Sequence, residues 1–350
     1  MYNSYESYIN SAFGDGVCEL LDEPMYDYYR EYAEYIVGLL NMQNKGDNKS
    51  NAFEFGYRDY PSVNGSSYCE DNVDKVQISR GVIERSYELF NNFITCIPDL
   101  KNFNKNNLSK GIKYVIQLGE KYGHTTYDLN VQIPKDKEQK EIAILLVSMA
   151  VKFVILHEIG HIYNGHTLYL NRIRDVGRDI GDLEMLTMDM DADAFAITRL
   201  VNEIISKFIE IEKGKKLYLV TYKYSLIQIL SISIFGVLQL IYSDYKSAEL
   251  TGKRQLPIEV RIVKALGCIK INIENLNLFG IDEEYVDECI WSSVGVIGNF
   301  YSTLYGEKDE LDQFIKNINE YNINLDDDIR ETWKQLRVNL IKYARCKLAE

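Results

Sequence analysis

The chain has 350 residues, 46% of them hydrophobic and 26% charged, so it can form one large domain or two ordinary ones around a sizeable core. A net charge of −13 argues against a non-specific nucleic-acid binder and against docking on an anionic membrane, since both need clustered Lys and Arg. No signal-peptide pattern opens the sequence and the six cysteines form no CxxC pair, which indicates a cytoplasmic protein with reduced thiols and excludes a zinc ribbon.

Most apolar residues recur at helical spacing, so the sequence predicts a mainly α fold of the α+β class. The loop and strands below are predicted from turn-forming residues and from alternating apolar positions, respectively. In chain order we predict a helix at residues 24–40, a long loop at 44–72, a strand at 75–79, helices at 80–94 and 108–122, a strand at 125–133, and helices at 138–166, 181–213, 217–245, 257–270, 282–304 and 326–347.

Two of the predicted helices are strongly apolar. Residues 142–151 read IAILLVSMAV, which is apolar on every side and predicts a buried central helix. Residues 224–242 are rich in Ile and Leu but also contain three serines, two glutamines and a glycine. Because a membrane-spanning helix has about 20 residues with few polar groups, we favour a buried core helix there over membrane association.

Three of the four histidines fall within ten residues, in the sequence VILHEIGHIYNGH. His157 and His161 form an HExxH motif, and residues four apart share one face of a helix, so both imidazoles can reach one metal ion. Zinc accepts such nitrogens and lowers the pKa of a bound water toward about 7. Glu158 would lie beside the metal, where it can act as general base.

A catalytic zinc site needs a third protein ligand. His166 lies about 140° round the helix from His161 and could join the same metal only if the helix broke, while His124 is isolated. Asp189 and Asp193 are better placed, since they share a helix face and follow the motif at a distance that allows a second helix to run past the first. We predict Asp189 as the third ligand and Asp193 as a hydrogen-bond partner of a ligand histidine.

These residues resemble the gluzincin metallopeptidases, whose HExxH motif is followed by ExxAD. The sequence DMDAD at 189–193 matches with Asp in place of Glu, and HEIGHIYNGH is similar to the motif of HtpX-type peptidases. In that family an edge strand before the motif pairs with bound peptide. The resemblance implies that Val76, Gln77, Ile78 and Ser79 form this edge.

The layout is most similar to the Lit-type phage-exclusion peptidases, which have a downstream HPxxxxR-type segment. Residues 255–261 read QLPIEVR, which keeps a Pro and Arg261 but lacks the His. The candidates for a transition-state or substrate contact are Arg261, His166 or one of the 27 tyrosines, among which the sequence does not choose. By resemblance, an N-terminal helical or irregular region at 1–70 and a C-terminal helical region at 266–350 flank a zincin-like metallopeptidase domain at 71–265.

The predicted function is a zinc-dependent endopeptidase with one Zn²⁺ per chain and a protein substrate. The Lit resemblance adds a role in phage defence, with an activating trigger protein or peptide, and no nucleic-acid or membrane partner is expected. Two alternatives stay open. One is a degenerate peptidase or structural-zinc protein that holds a partner without cleaving it, and the other is a peptidase that cleaves a repressor.

Overall fold

The structure is a computed structural model that describes residues 23–43, 51–97, 112–116, 127–212, 225–247, 258–275, 283–305 and 327–349. Over these ranges the fold is mainly helical with a small β component, which confirms the predicted α+β class. The strands are β1 (Ala52–Arg58), β2 (Gly65–Glu70), β3 (Val73–Ser79), β4 (Ile112–Ile116) and β5 (Tyr127–Val131). The helices are α1 (Glu23–Gln43), α2 (Arg80–Cys96), α3 (Lys137–Tyr163), α4 (His166–Asp175), α5 (Asp182–Glu212), α6 (Leu226–Ser247), α7 (Ile258–Asn275), α8 (Glu283–Tyr305) and α9 (residues 327–340).

The larger sheet has the strand order β1-β3-β2, so β3 is its central strand. β1 runs parallel to β3, whereas β2 and β3 form an antiparallel hairpin. Asp71 and Asn72 connect the hairpin with φ angles of 52° and 60°, a conformation that short polar side chains tolerate in two-residue turns. This topology leaves β2 on one outer edge of the sheet.

Two predictions before residue 125 are wrong. The predicted loop at 44–72 contains β1 and β2, and its alternating aromatic residues Phe53, Phe55 and Tyr57 are typical of a strand. The predicted helix at 108–122 is wrong at 112–116, which form β4, and its remaining residues lie outside the described ranges. The predicted strand at 125–133 is confirmed by β5, which pairs antiparallel with β4.

Helix α3 lies at the centre of the core, packed against α2, α5 and α6. It is buried from Ile142 to Gly160, as its all-round apolar sequence predicts. By length and composition α3 and α6 could each cross a membrane, but their most apolar windows are 100% and 72% buried inside this fold. Among the described residues, five cysteines are free thiols, and Cys18 lies outside them.

The long helix predicted at 138–166 is interrupted at its C-terminal end. Helix α3 ends at Tyr163, Gly165 adopts a left-handed φ of 84°, and α4 begins at His166. A Cβ atom at Gly165 would lie 2.7 Å from the backbone of Tyr343 and Ala344, so the chain's C-terminal segment packs directly on this turn. The Asn-Gly pair at 164–165 was the sequence signal for the break.

Candidate active site

The predicted ligand atoms converge where α3 passes α5. Nε2 of His161 lies 3.1 Å from Nε2 of His157 and 3.5 Å from Oδ1 of Asp189. One ligand atom from each of the three residues falls within 4.8 Å of those of the other two, so the cluster is compatible with a metal site. The two histidines lie one turn apart on α3, and Asp189 reaches them from α5.

Small residues allow the two ligand-bearing helices to approach closely. A Cβ atom at Gly160 would lie 3.3 Å from the backbone of Ala192 and 3.1 Å from the ring of Phe195. Ala192 itself is fully buried at this crossing. The glycine within HExxH and the alanine within DMDAD therefore bring Asp189 within reach of the histidines.

His157 is held by a buried carboxylate. Nδ1 of His157 lies 2.7 Å from Oδ1 of Asp193, the residue that the sequence predicts as the hydrogen-bond partner of a ligand histidine. Arg261 on α7 donates to both carboxylate oxygens of Asp193, at 2.8 and 2.9 Å. Burial alone would raise the pKa of Asp193, but Arg261 and His157 outweigh it and hold that pKa well below its usual range. For His157, burial lowers the pKa, and the charge of Asp193 outweighs it and raises the pKa.

His161 is backed by a third histidine. The turn at Gly165 brings Nδ1 of His166 to 2.9 Å from Nδ1 of His161. On its other side, Nε2 of His166 lies 3.2 Å from Oδ2 of Asp191, which also accepts a hydrogen bond from Asn164. Sequence reasoning assigned no role to Asp191, because a residue two positions from Asp189 on a helix lies on a different face.

Glu158 lies beside the histidines and faces β2. Its side chain is only 7% exposed, and Oγ of Ser67 donates a 2.9 Å hydrogen bond to Oε2 of Glu158. Burial raises the pKa of Glu158, while His157 and the Ser67 hydroxyl oppose the rise. A Cβ atom at Gly65 would lie 2.5 Å from Oε1, so β2 passes directly over this carboxylate. Sequence reasoning missed Gly65 and Ser67 because they lay in the predicted loop.

A cavity of about 250 Å³ contains the cluster. Residues 63–67 form one wall, and Glu158, the three clustered histidines, Asp189 and Arg261 form the polar part of the lining. The apolar part is made of Val63, Phe153, Val154, Leu170, Met185 and Ile241. The cavity can therefore place an apolar side chain beside the polar cluster.

The structure corrects the predicted substrate edge. Residues 76–79 lie in β3, which pairs with β1 on one side and β2 on the other, so they offer no open edge. The edge strand beside Glu158 is β2. The predicted contact residues Arg261 and His166 line the cavity, but Arg261 is bonded to Asp193 and His166 is fully buried behind His161. His124 lies outside the described residues.

Comparison with known proteins shows which protein family the chain matches. The family model described as Peptidase U49 matches residues 80–279, which is more than half of the chain. The matched region includes the histidines, Glu158, Asp189, Asp193 and Arg261, but not β2 or the C-terminal segment. Comparison with curated proteins and with solved structures gives no match.

Proposed function

Because the chain belongs to the Peptidase U49 family, we propose that it is a zinc-dependent endopeptidase that cleaves a protein substrate with Glu158 as general base. Family membership supports only the peptidase activity, and not the zinc dependence or the role of Glu158. The observation that carries the rest is the convergence of three ligand atoms, from His157, His161 and Asp189, beside a buried carboxylate in a cavity.

The donor set suits zinc. Two imidazole nitrogens and one carboxylate oxygen are ligands that zinc accepts, and at bond lengths of about 2.0–2.1 Å tetrahedral ligand atoms lie about 3.3 Å apart. The measured separations of 3.1 Å between His157 and His161 and 3.5 Å between His161 and Asp189 agree with this spacing. Three protein ligands leave one position open, as catalytic zinc sites require.

The residues around the three proposed ligands orient a ligand histidine, transfer protons and hold the general base. A zinc ion bound here would supply Lewis-acid polarisation of the scissile carbonyl and an acidified water. Asp193 accepts the Nδ1 proton of His157 and so leaves Nε2 free to bind metal. Glu158 accepts the proton of the attacking water and then donates it to the leaving amine, a role for which a raised pKa is suited. Ser67 holds Oε2 of Glu158 and fixes the plane of the carboxylate.

An extended substrate would pair with β2. Residues in an antiparallel pair alternately turn their backbone N–H and C=O groups toward the partner strand and away from it. Asn64 bonds inward to β3, so Gly65, Ser67 and Cys69 turn theirs outward. Asn171 of α4 donates to the Cys69 carbonyl, which leaves Gly65 and Ser67, beside Glu158, as the pairing positions for a peptide.

The biological setting is also part of the proposal. The Lit resemblance supports a role in phage defence, in a cytoplasmic protein whose activity awaits a trigger protein or peptide. The burial of the apolar windows of α3 and α6 inside the fold supports the absence of a membrane partner, and the net charge of −13 supports the absence of a nucleic-acid partner.

A binding protein that does not cleave is the second candidate. It is favoured by the shorter Asp189 in place of Glu and by the missing histidine before Arg261. Against it, a structural zinc normally has four protein ligands. The described residues that form the cluster supply three, and a structural site has no use for the buried Glu158 beside it.

Two measurements on the purified full chain test the proposal. Elemental mass spectrometry should find about one zinc per chain, and wild-type protein added to a lysate of phage-infected bacteria, which supplies the proposed trigger, should create new protein N-termini that Glu158→Gln does not create. Glu34→Gln, an exposed change on α1, should behave as wild type. Failure to bind zinc overturns the proposal, and equal cleavage by Glu158→Gln overturns the assigned base. Bound zinc without any cleavage would favour the binding protein.

A further inference from the structure

The two ligand histidines are held in different ways. His157 has a carboxylate, Asp193, on its Nδ1, which is the usual partner of a metal-binding histidine. His161 has instead another imidazole on its Nδ1, that of His166. His166 is 0% exposed, and no step of the proposed reaction uses it.

The choice of Nε2 as the metal-binding atom of His161 determines which nitrogen carries the proton in each of the two histidines, His161 and His166. Nε2 of His161 faces His157 and Asp189, so the metal-binding tautomer carries its proton on Nδ1. That proton can be donated at 2.9 Å only if Nδ1 of His166 is an acceptor, which places the His166 proton on Nε2. Nε2 of His166 lies 3.2 Å from Oδ2 of Asp191, which is close enough for a charge interaction although the two groups are not aligned for a hydrogen bond.

Asp191, the residue farthest from the metal site in this series of side chains, is itself held in place. Asn164 donates to Asp191 and accepts from the thiol of Cys346 at 2.9 Å. The backbone N–H of Arg345 donates at 2.7 Å to the carbonyl of Tyr163, the last residue of α3. The break between α3 and α4, which brings His166 back toward His161, is therefore held from both sides.

We propose that His166 is a positioning residue that, with Asp191, orients His161 and fixes Nε2 as its metal-binding atom. The inference rests on the proposed metal site. It assigns His166 a role other than substrate contact, because its ring lies behind His161 and is closed off from solvent. It also explains why the helix that carries HExxH ends two residues after the second ligand, since an unbroken helix would turn His166 away.

Zinc affinity, measured on the full chain by competition with a chelating fluorophore, tests the proposal. His166→Leu should lower the affinity about 10- to 100-fold, the usual cost of losing a partner of a metal-binding histidine. His166→Asn should restore most of it, because the amide oxygen can take the position of Nδ1 and accept the same hydrogen bond. The visible spectrum of the cobalt-substituted protein should change in the Leu variant and return in the Asn variant.

Controls separate orientation from packing. Ile173→Ala truncates another buried side chain of α4 and should lower the unfolding temperature without changing zinc affinity. If His166→Leu does not fold, Asp191→Asn carries the test, and a smaller loss of affinity is expected from it. Wild-type affinity in His166→Leu, or in Asp191→Asn when the Leu variant is unfolded, overturns this inference alone. A wild-type chain that binds no zinc overturns the proposed function as well.

Discussion

The helical side of the cavity and its sheet side are built in different ways. On the helical side the proposed ligands lie at most 32 positions apart, on two helices brought together by Gly160 and Ala192. On the sheet side, the hydroxyl of Ser67 and the backbone at Gly65 approach Glu158 from 91 and 93 positions away in the chain. The helical side lies within the region that the family model matches, and residues 63–67 lie before it.

The difference separates two requirements of catalysis. Helical periodicity is enough to bring two imidazoles and a carboxylate around one metal ion. Orientation of the base and pairing with a substrate depend on a strand that folds over the site from elsewhere. Changes to the sheet side should therefore reduce cleavage while leaving zinc affinity unchanged, whereas changes behind the ligands should reduce zinc affinity itself.

The largest expected effect comes from the ion pair that attaches the sheet to the C-terminal segment. The side chains of Arg345 and Asp74 are 2% and 3% exposed, and they contact each other directly. Arg345→Met leaves the Asp74 carboxylate buried without its counter-charge, so the free energy of unfolding should fall by about 3 kcal/mol. Denaturant unfolding measures this loss.

A surface pair provides the matched control for that change. Lys334→Met removes the cation of an exposed ion pair with Glu331 and should change stability little. The double variant Arg345→Met with Asp74→Leu should recover much of the lost stability, since no charge is then buried alone. Equal stability of the Arg345→Met and Lys334→Met variants would show that the buried pair does not hold the sheet.

The next largest effect is expected from β2 itself. Gly65→Ala places a methyl group 2.5 Å from Oε1 and 2.8 Å from Cγ of Glu158, so the whole Glu158 side chain must rotate away. The fold and the zinc affinity should survive, while displacement of the base by about 1 Å should reduce kcat about 100-fold. Gly56→Ala on β1 is the control, because its Cβ would meet only Cγ of Gln77 at 3.9 Å. Full activity in Gly65→Ala would show that the close approach of β2 at Gly65 does not determine the position of Glu158.

The same division explains what the sequence could predict. HExxH and DMDAD specify the helices, the proposed ligands and the partner of His157, because these depend on local spacing and on two small residues at one crossing. Two further signals are present in the sequence but are weaker than their surroundings. The Asn-Gly pair at 164–165 follows a long apolar run that favours one continuous helix, and the strand pattern of 52–58 lies among polar residues that favour a loop. The contacts of Ser67 with Glu158 and of Cys346 with Asn164 join residues 91 and 182 positions apart, which no local pattern encodes.

The smallest effect is expected from the hydroxyl that holds the base. Ser67→Ala removes the 2.9 Å hydrogen bond to Oε2 of Glu158 but leaves the backbone of β2 free to pair with a substrate. A hydrogen bond to a charged group contributes about 1.5–3 kcal/mol, so kcat should fall about tenfold or more with KM nearly unchanged. Ser67→Thr keeps the donor and should retain most of the activity. A change in KM alone would instead assign Ser67 to substrate binding, and β2 would then hold the peptide without orienting the base.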